Sequence, residues 1–177
     1  MALALTWFLW PSKGWLFDAK AFAAFVVAAI TWLGSIATER KTSDHDKALL
    51  QRFRETIDSD QVTFLRRHDF GASFERRRLA GMFRIDSEWE GAEFRFDDPI
   101  VDRDFAVLVE QILTFVRYVA HNTWPIDGER EWSTAVPERN AEWSERTVAR
   151  VDKLNNDSSG LSTAIDGFVM KARSRFG

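Results

Sequence analysis

The sequence predicts an all-α fold in which a single N-terminal transmembrane helix is followed by a cytoplasmic helical bundle with two long antiparallel helices. Two observations predict this class. Residues 21–37 carry no charged side chain, and the apolar residues beyond position 44 recur mainly at intervals of three and four, which is the period of a helix. The chain accordingly divides into an interfacial segment over 1–14, a transmembrane helix over 15–38 and a cytoplasmic helical domain over 44–177.

The uncharged run over 21–37 has nearly the length that a bilayer requires. Its seventeen residues would cover roughly 25 Å of the ~30 Å hydrocarbon core as a helix, and apolar residues at 15–17 lengthen it. Tryptophan and long cationic side chains favour the interfaces at the ends of a spanning helix. The residues that we predict at the membrane interface are Trp7, Trp10, Trp15, Lys20, Trp32, Arg40 and Lys41.

Two other interpretations of this run remain open. A buried helix of a soluble protein would carry a polar stripe, whereas only Thr31, Gly34 and Ser35 interrupt the apolar surface. A secretory signal peptide could be cleaved at the small-x-small pattern of 35–37, but twenty residues precede the apolar core, where a short basic region is expected. The apolar residues near the N-terminus are too few to span a bilayer and should lie in its interface.

Basic residues near the two ends of the run predict its orientation. The amino side has Lys13 and Lys20, whereas the carboxyl side has Arg40, Lys41, Lys47, Arg52 and Arg54. The more basic side faces the cytoplasm, so the carboxyl domain is predicted to be cytoplasmic. The chain has no cysteine, which fits a reducing compartment.

The charge of the domain argues against a nucleic-acid partner. The whole chain has 24 basic and 27 acidic residues, and Lys13, Asp18 and Lys20 are the charged ones before residue 38, which leaves 22 basic and 26 acidic residues and a net charge of −4. Nucleic-acid-binding domains carry a positive excess. Eleven of the fifteen phenylalanines also lie beyond residue 38, so an aromatic-rich core is expected.

Capping residues and apolar spacing predict the shorter elements of the domain. A serine or aspartate at 43–44 precedes one helix, and a serine or aspartate at 59–60 precedes a second. Apolar spacing predicts a third helix over 74–89. The alternation at 93–96 is too short for a sheet, and we interpret it as an extended segment whose two phenylalanines enter the core.

Two long helices are predicted in the rest of the domain. A heptad-like seam over 100–119 is formed by Val101, Phe105, Leu108, Ile112, Phe115 and Val119. Helical character returns at residue 138 and continues to the end, apart from a polar stretch at 155–160. Because the apolar residues keep their phase across that stretch, we expect one continuous helix. The acidic residues over 86–104 contain no calcium-loop motif and are expected to cap and solvate the helices.

The connection over 124–137 is long for a compact domain. It contains Trp124, Arg130 and Trp132, which are residue types enriched at interaction hot spots. These three residues are the candidates for binding a partner. The alternative is that both tryptophans pack into the bundle.

An HD dipeptide is formed by His68 and Asp69, with His45 upstream and Asp127 downstream. This order on a helical chain resembles the metal-dependent HD phosphohydrolases, although Ala72 stands where that family usually has a lysine. The resemblance implies a divalent metal, held by these two histidines and two aspartates, that activates water. The other interpretation is a polar pair at the end of a helix.

Four patterns lie along the domain, namely FLRRHDFGASF, a Trp–Phe–Asp segment, LNN and a final FVMKAR helix. Together they are similar to uncharacterised bacterial proteins with an N-terminal membrane anchor and a small helical cytoplasmic domain. The resemblance implies this architecture and no activity. We therefore predict a single-pass protein of the bacterial inner membrane that acts as an interaction or scaffold module. It would bind the membrane and an unknown protein or a second copy of itself, with no catalytic residue and no cofactor, and an HD phosphohydrolase is the alternative.

Overall fold

A computed structural model describes residues 44–126, 130–134 and 142–176. These residues belong to one compact unit of the chain. No helix in the described ranges combines the length and the apolar character needed to cross a membrane. The predicted interfacial segment over 1–14, the transmembrane helix over 15–38 and all seven predicted membrane-interface residues lie outside the described residues.

Five helices and three short strands make up the described part of the chain. In chain order they are α1 over 44–56, α2 Ser59–Arg67, β1 Phe74–Glu75, α3 Ala80–Glu88, α4 Pro99–Asn122, β2 Trp124–Ile126, β3 Glu131–Ser133 and α5 Glu145–Phe176. Two turns of 3₁₀ helix, Arg76–Leu79 and Ala92–Phe94, lie before and after α3.

The two longest helices, α4 and α5, pack against each other in opposite directions. Near the start of α4, Asp98 pairs with Arg175 at the end of α5. Near the end of α4, the Tyr118 ring lies 5.0 Å from the ammonium of Lys153, which is early in α5. The prediction that α5 runs unbroken through 155–160 is confirmed, because the buried faces on either side of that stretch share one helical phase.

Phe53 of α1 lies at the centre of the core and is fully buried. Its ring makes edge-to-face contacts with Phe105 of α4 at 5.5 Å, with Phe168 of α5 at 5.6 Å and with Trp89 after α3 at 5.9 Å. Aromatic pairs prefer this arrangement because the positive edge of one ring meets the negative face of another. Phe53 therefore joins four parts of the fold.

The segment before α4 supplies two more core aromatics. Phe94 and Phe96 are both buried, as predicted, although a 3₁₀ turn replaces part of the expected extended segment. Two acidic residues that follow accept backbone N–H groups. The Asp98 carboxylate accepts that of Ile100 at 2.9 Å, and Asp102 accepts that of Phe96 at 3.1 Å. The expectation that acidic residues cap a helix here is confirmed for Asp98, the N-cap of α4, whereas Asp102 lies inside α4 and holds the segment before it.

At Gly81 the backbone of α3 lies so close to the end of α1 that there is no room for a side chain between them. A Cβ atom on Gly81 would lie 1.8 Å from the Thr56 carbonyl oxygen at the end of α1. The Gln61 side chain seals this junction, because its Oε1 accepts the Gly81 N–H at 2.9 Å. Gln61 lies in the first turn of α2, where the Asp58 carboxylate caps the helix, one residue before the predicted cap at 59–60.

The prediction of an all-α fold is wrong in one respect, because the domain contains a three-stranded antiparallel sheet with the order β1-β3-β2. The predicted connection over 124–137 contributes β2 and β3, in which Trp132 lies opposite Pro125. The predicted helix over 74–89 becomes helical only after β1, where Phe74 pairs with Trp132. Strands of two and three residues are too short for alternation to reveal them, and Pro125 is tolerated because β2 is an edge strand.

Candidate functional site

An open cleft of about 680 Å³ lies between α2 and the β1–β3 pair of the sheet, and we call it the His68 cleft. It is lined by Asp60, Thr63, Phe64, Arg67, His68, Ser73, Phe74, Glu75, Arg78 and Glu131. These residues come from α2, from β1 and the turns around it, and from β3. The sheet that the sequence did not reveal therefore completes the cleft.

The floor of the cleft is aromatic. His68 follows the last residue of α2, and its backbone N–H closes the helix on the Phe64 carbonyl oxygen. The imidazole stacks on the Phe64 ring at 4.5 Å and meets the edges of Phe70 and Phe74 at 5.0 and 5.5 Å. The ring is thus held among apolar side chains, with only part of its surface exposed.

Hydrogen bonds of the Asp69 and Asn155 side chains, which we call the Asp69–Asn155 clasp, fix the turn that follows His68. Asp69 Oδ1 accepts the Gly71 N–H at 2.8 Å and an Asn155 side-chain N–H at 2.9 Å. Asn155 Oδ1 in turn accepts the Phe70 N–H at 2.8 Å. These hydrogen bonds, from Gly71 first and Asn155 second, lower the pKa of Asp69, because they stabilise the charged carboxylate. Helix α5 therefore holds the end of α2 in place.

The surroundings of His68 favour its neutral imidazole. Burial lowers its pKa, and the neighbouring Asp69 charge and the Ala72 backbone raise it by less. Its Nε2 atom is buried and has no hydrogen-bond partner within the described ranges. In this position the imidazole contributes to packing, and its Nε2 atom is not presented to a metal or a substrate.

The residues implied by the HD phosphohydrolase resemblance do not all come together. His45 lies against the Arg95 carbonyl oxygen, at 3.0 Å from its Nε2, and Asp127 lies outside the described residues. Within the part of the chain that the structure describes, one group of three potential ligands is close enough for a metal, and it comprises His45, Asp46 and Asp97. His68 and Asp69 are not in that group.

The three predicted partner-binding residues lie on the hairpin of β2 and β3 or beside it. Trp124 and Trp132 are half-buried, and Arg130 is exposed. The guanidinium of Arg150 lies 5.2 Å from the Trp124 ring, and that of Arg76 lies 4.9 Å from the Trp132 ring. Trp132 also packs against the main core. Trp132 therefore makes part of the contact that the packing alternative describes, and the Trp124 ring is covered by Arg150.

Sequence reasoning missed the charged residues at the rim of the His68 cleft, which are Asp60, Arg67, Glu75, Arg78 and Glu131. Each belongs to a short polar stretch that resembles any solvated surface. Glu131 reaches the cleft because β3 pairs with β1. A hairpin prediction over 124–133 would have placed Glu131 opposite Ile126, but its position beside Glu75 depends on the non-local pairing with β1, for which the sequence carries no local signal.

Comparison of the chain with protein-family models, with curated proteins and with solved structures finds no match.

Proposed function

We propose that the chain is a membrane-anchored interaction module, in which residues 15–38 span the bacterial inner membrane and the helical domain binds an extended segment of a partner protein in the cytoplasm. The observation that carries this proposal is the His68 cleft. Its aromatic floor and charged rim offer both the apolar contact and the paired charges that protein segments use in recognition.

Two charged side chains of the rim form no ion pair within the described ranges of the chain. Arg67 is exposed and forms no ion pair with any residue in the described ranges. On the same rim, the Glu131 carboxylate accepts the Ser73 hydroxyl at 2.9 Å, its single hydrogen bond to the part of the chain that the structure describes. A partner segment that carries a carboxylate for Arg67 and a cation for Glu131 would complement both.

The backbone beside the cleft suits an extended segment. β1 is an edge strand of the sheet, and Ser73, Phe74 and Glu75 line the cleft. An edge strand presents backbone N–H and C=O groups that can pair with an added strand. An extended peptide could therefore pair with β1 while its side chains reach the aromatic floor.

The proposed transmembrane helix over 15–38 is supported by the sequence alone. The uncharged run over 21–37 approaches the length of a spanning helix, and the basic excess after Ala37 favours a cytoplasmic domain. A reporter enzyme fused after Gly177 should be active in the cytoplasm. Activity of an exported reporter instead would reverse the orientation and support the signal-peptide interpretation.

Site-specific photo-crosslinking tests the cleft. A photoreactive phenylalanine analogue is placed at Thr63, which is exposed in the cleft, in the full-length chain within its own cells. The matched control places it at Thr163, an exposed threonine of α5 outside the cleft. We expect a defined crosslinked partner from Thr63 and none from Thr163.

A charge reversal then tests whether the cleft recognises that partner. Arg67→Glu should reduce the Thr63 crosslink several-fold, because it repels the carboxylate that Arg67 would bind. Arg173→Glu is the control, since Arg173 is also exposed and lies at the end of α5 away from the cleft. Equal crosslinking from both threonines, or a crosslink that Arg67→Glu leaves unchanged, would disprove the proposal.

A further inference from the structure

Three side chains that can bind a metal lie close together near the N-terminus of α4. His45 and Asp46 are consecutive residues near the described start of α1, and Asp97 lies in the segment just before α4. One potential ligand atom of each lies within 4.8 Å of those of the other two. Two separate elements of the fold therefore supply one imidazole and two carboxylates to the same place.

Asp46 is a buried carboxylate that forms no ion pair with any of the residues that the structure describes. Its side chain is 0% exposed, and its oxygens accept the backbone N–H groups of Asp97 at 2.7 Å and Asp98 at 3.1 Å. Buried charges are ordinarily paired with an opposite charge or coordinate a metal. The two N–H bonds leave lone pairs on both oxygens, so this carboxylate can still accept a cation.

His45 makes the hydrogen bond that metal-binding histidines usually make. Its Nε2 lies 3.0 Å from the Arg95 carbonyl oxygen. When a histidine binds a metal, the ring nitrogen away from the metal typically donates its N–H to a carbonyl or carboxylate, which fixes the ring and its tautomer. The tautomer that donates Nε2–H to the Arg95 carbonyl oxygen leaves the Nδ1 lone pair available to a metal.

We propose that His45, Asp46 and Asp97 bind one divalent transition-metal ion of the Zn²⁺ class. An imidazole nitrogen with carboxylate oxygens suits Zn²⁺ better than Mg²⁺ or Ca²⁺, which prefer oxygen ligands alone. Asp46 is held by two backbone N–H groups and His45 by the Arg95 carbonyl oxygen, whereas the exposed Asp97 side chain can move toward the ion. The ion would give Asp46 a cationic partner, which none of the described residues provides, and would link α1 to the start of α4. This site is separate from the His68 cleft, and the inference does not depend on the proposed function.

Calorimetric titration with Zn²⁺ tests the site. The sample is the full-length chain in a non-ionic detergent, without a polyhistidine tag. We expect one Zn²⁺ per chain, and binding weakened at least tenfold by either His45→Ala or Asp97→Asn. Asp97→Asn keeps the backbone N–H that Asp46 accepts, and both residues are exposed, so both variants should fold, as circular dichroism will check.

His121→Ala is the control variant, because His121 is also an exposed histidine and lies outside the group. It should bind Zn²⁺ as the unmodified chain does. Saturating Zn²⁺ should also raise the melting temperature of the unmodified chain by several degrees, since a ligand of the folded state stabilises it, and it should raise that of His45→Ala less. Absence of stoichiometric binding, or equal binding by all three variants, would overturn the proposal.

Discussion

Glu75 and Glu131 lie directly opposite each other across the antiparallel pair of β1 and β3, at the rim of the His68 cleft. Like charges at opposed positions of a sheet are destabilising. The Arg77 guanidinium, 2.6 Å from Glu75, holds the pKa of that carboxyl below its usual value. Glu131 has no such ion pair among the described residues. The repulsion is therefore only partly relieved within the domain.

Glu131→Gln should stabilise the folded domain slightly. It removes the repulsion from Glu75, and the amide oxygen can still accept the Ser73 hydroxyl. We expect the melting temperature to rise by about 1–3 °C, given the usual size of cross-strand charge effects. Glu110→Gln on the exposed face of α4 is the control and should have no such effect. An unchanged melting temperature for Glu131→Gln would mean that the repulsion is fully compensated, and a lower one would mean that the Glu131 charge stabilises the domain.

Because of His68, the free energy of unfolding should decrease as the pH falls. Burial lowers the pKa of His68 in the folded domain, while in the unfolded chain it returns to about 6.5. Below that value the unfolded chain binds a proton more readily than the folded one, so the stabilising contribution is complete above pH 6.5 and is lost as the pH falls toward the folded pKa.

His68→Phe should reduce this pH dependence, because it keeps an aromatic ring on Phe64 without a titrating group. The measurement is urea unfolding at pH 7.5 and pH 5.5. The free energy of unfolding should differ more between the two pH values for the unmodified chain than for His68→Phe. His121→Phe, a substitution at an exposed histidine, should not reduce this difference. An identical pH dependence for His68→Phe and the unmodified chain would contradict the prediction.

Asn155→Ala should lower the free energy of unfolding by about 1–3 kcal/mol, because it leaves the partly buried Phe70 N–H without its acceptor. It should also raise the pKa of Asp69, which loses one of the hydrogen bonds that stabilise its charge. The neighbouring Asn156 is exposed, so Asn156→Ala is the matched control. Chemical denaturation of both variants checks the first effect. Equal stability of the two would show that the Asp69–Asn155 clasp does not hold the turn.

Trp132→Ala decides between the two interpretations of the hairpin. Because the indole is half-buried against the core and under Arg76, we expect it to cost about 2–3 kcal/mol, less than a fully buried tryptophan would. Arg130→Ala, at an exposed position of the same hairpin, should leave the melting temperature nearly unchanged. Unchanged melting of Trp132→Ala together with loss of the Thr63 crosslink would restore Trp132 as a binding residue.

The parts of the fold that could be predicted are those encoded within one helix. The seam of α4 and the unbroken phase of α5 follow from apolar spacing along a continuous segment. The sheet could not be predicted, because pairing between Phe74 and Trp132 is a non-local contact between strands of two and three residues. His68 was identified through a dipeptide, yet its environment depends on that sheet and on Asn155. The group of His45, Asp46 and Asp97 is non-local for the same reason.

The glycines of the domain differ in how much sequence change each position can accept. At Gly81 a single methyl group would overlap the Thr56 carbonyl oxygen, so every replacement must separate α1 from α3, and the position has no viable alternative. Gly160 and Gly167 in α5 have nothing within 4 Å of an added Cβ atom. Alanine there should stabilise the helix by up to about 1 kcal/mol each. In a library of variants selected for folding, we therefore expect glycine alone at position 81 and a range of residues at positions 160 and 167.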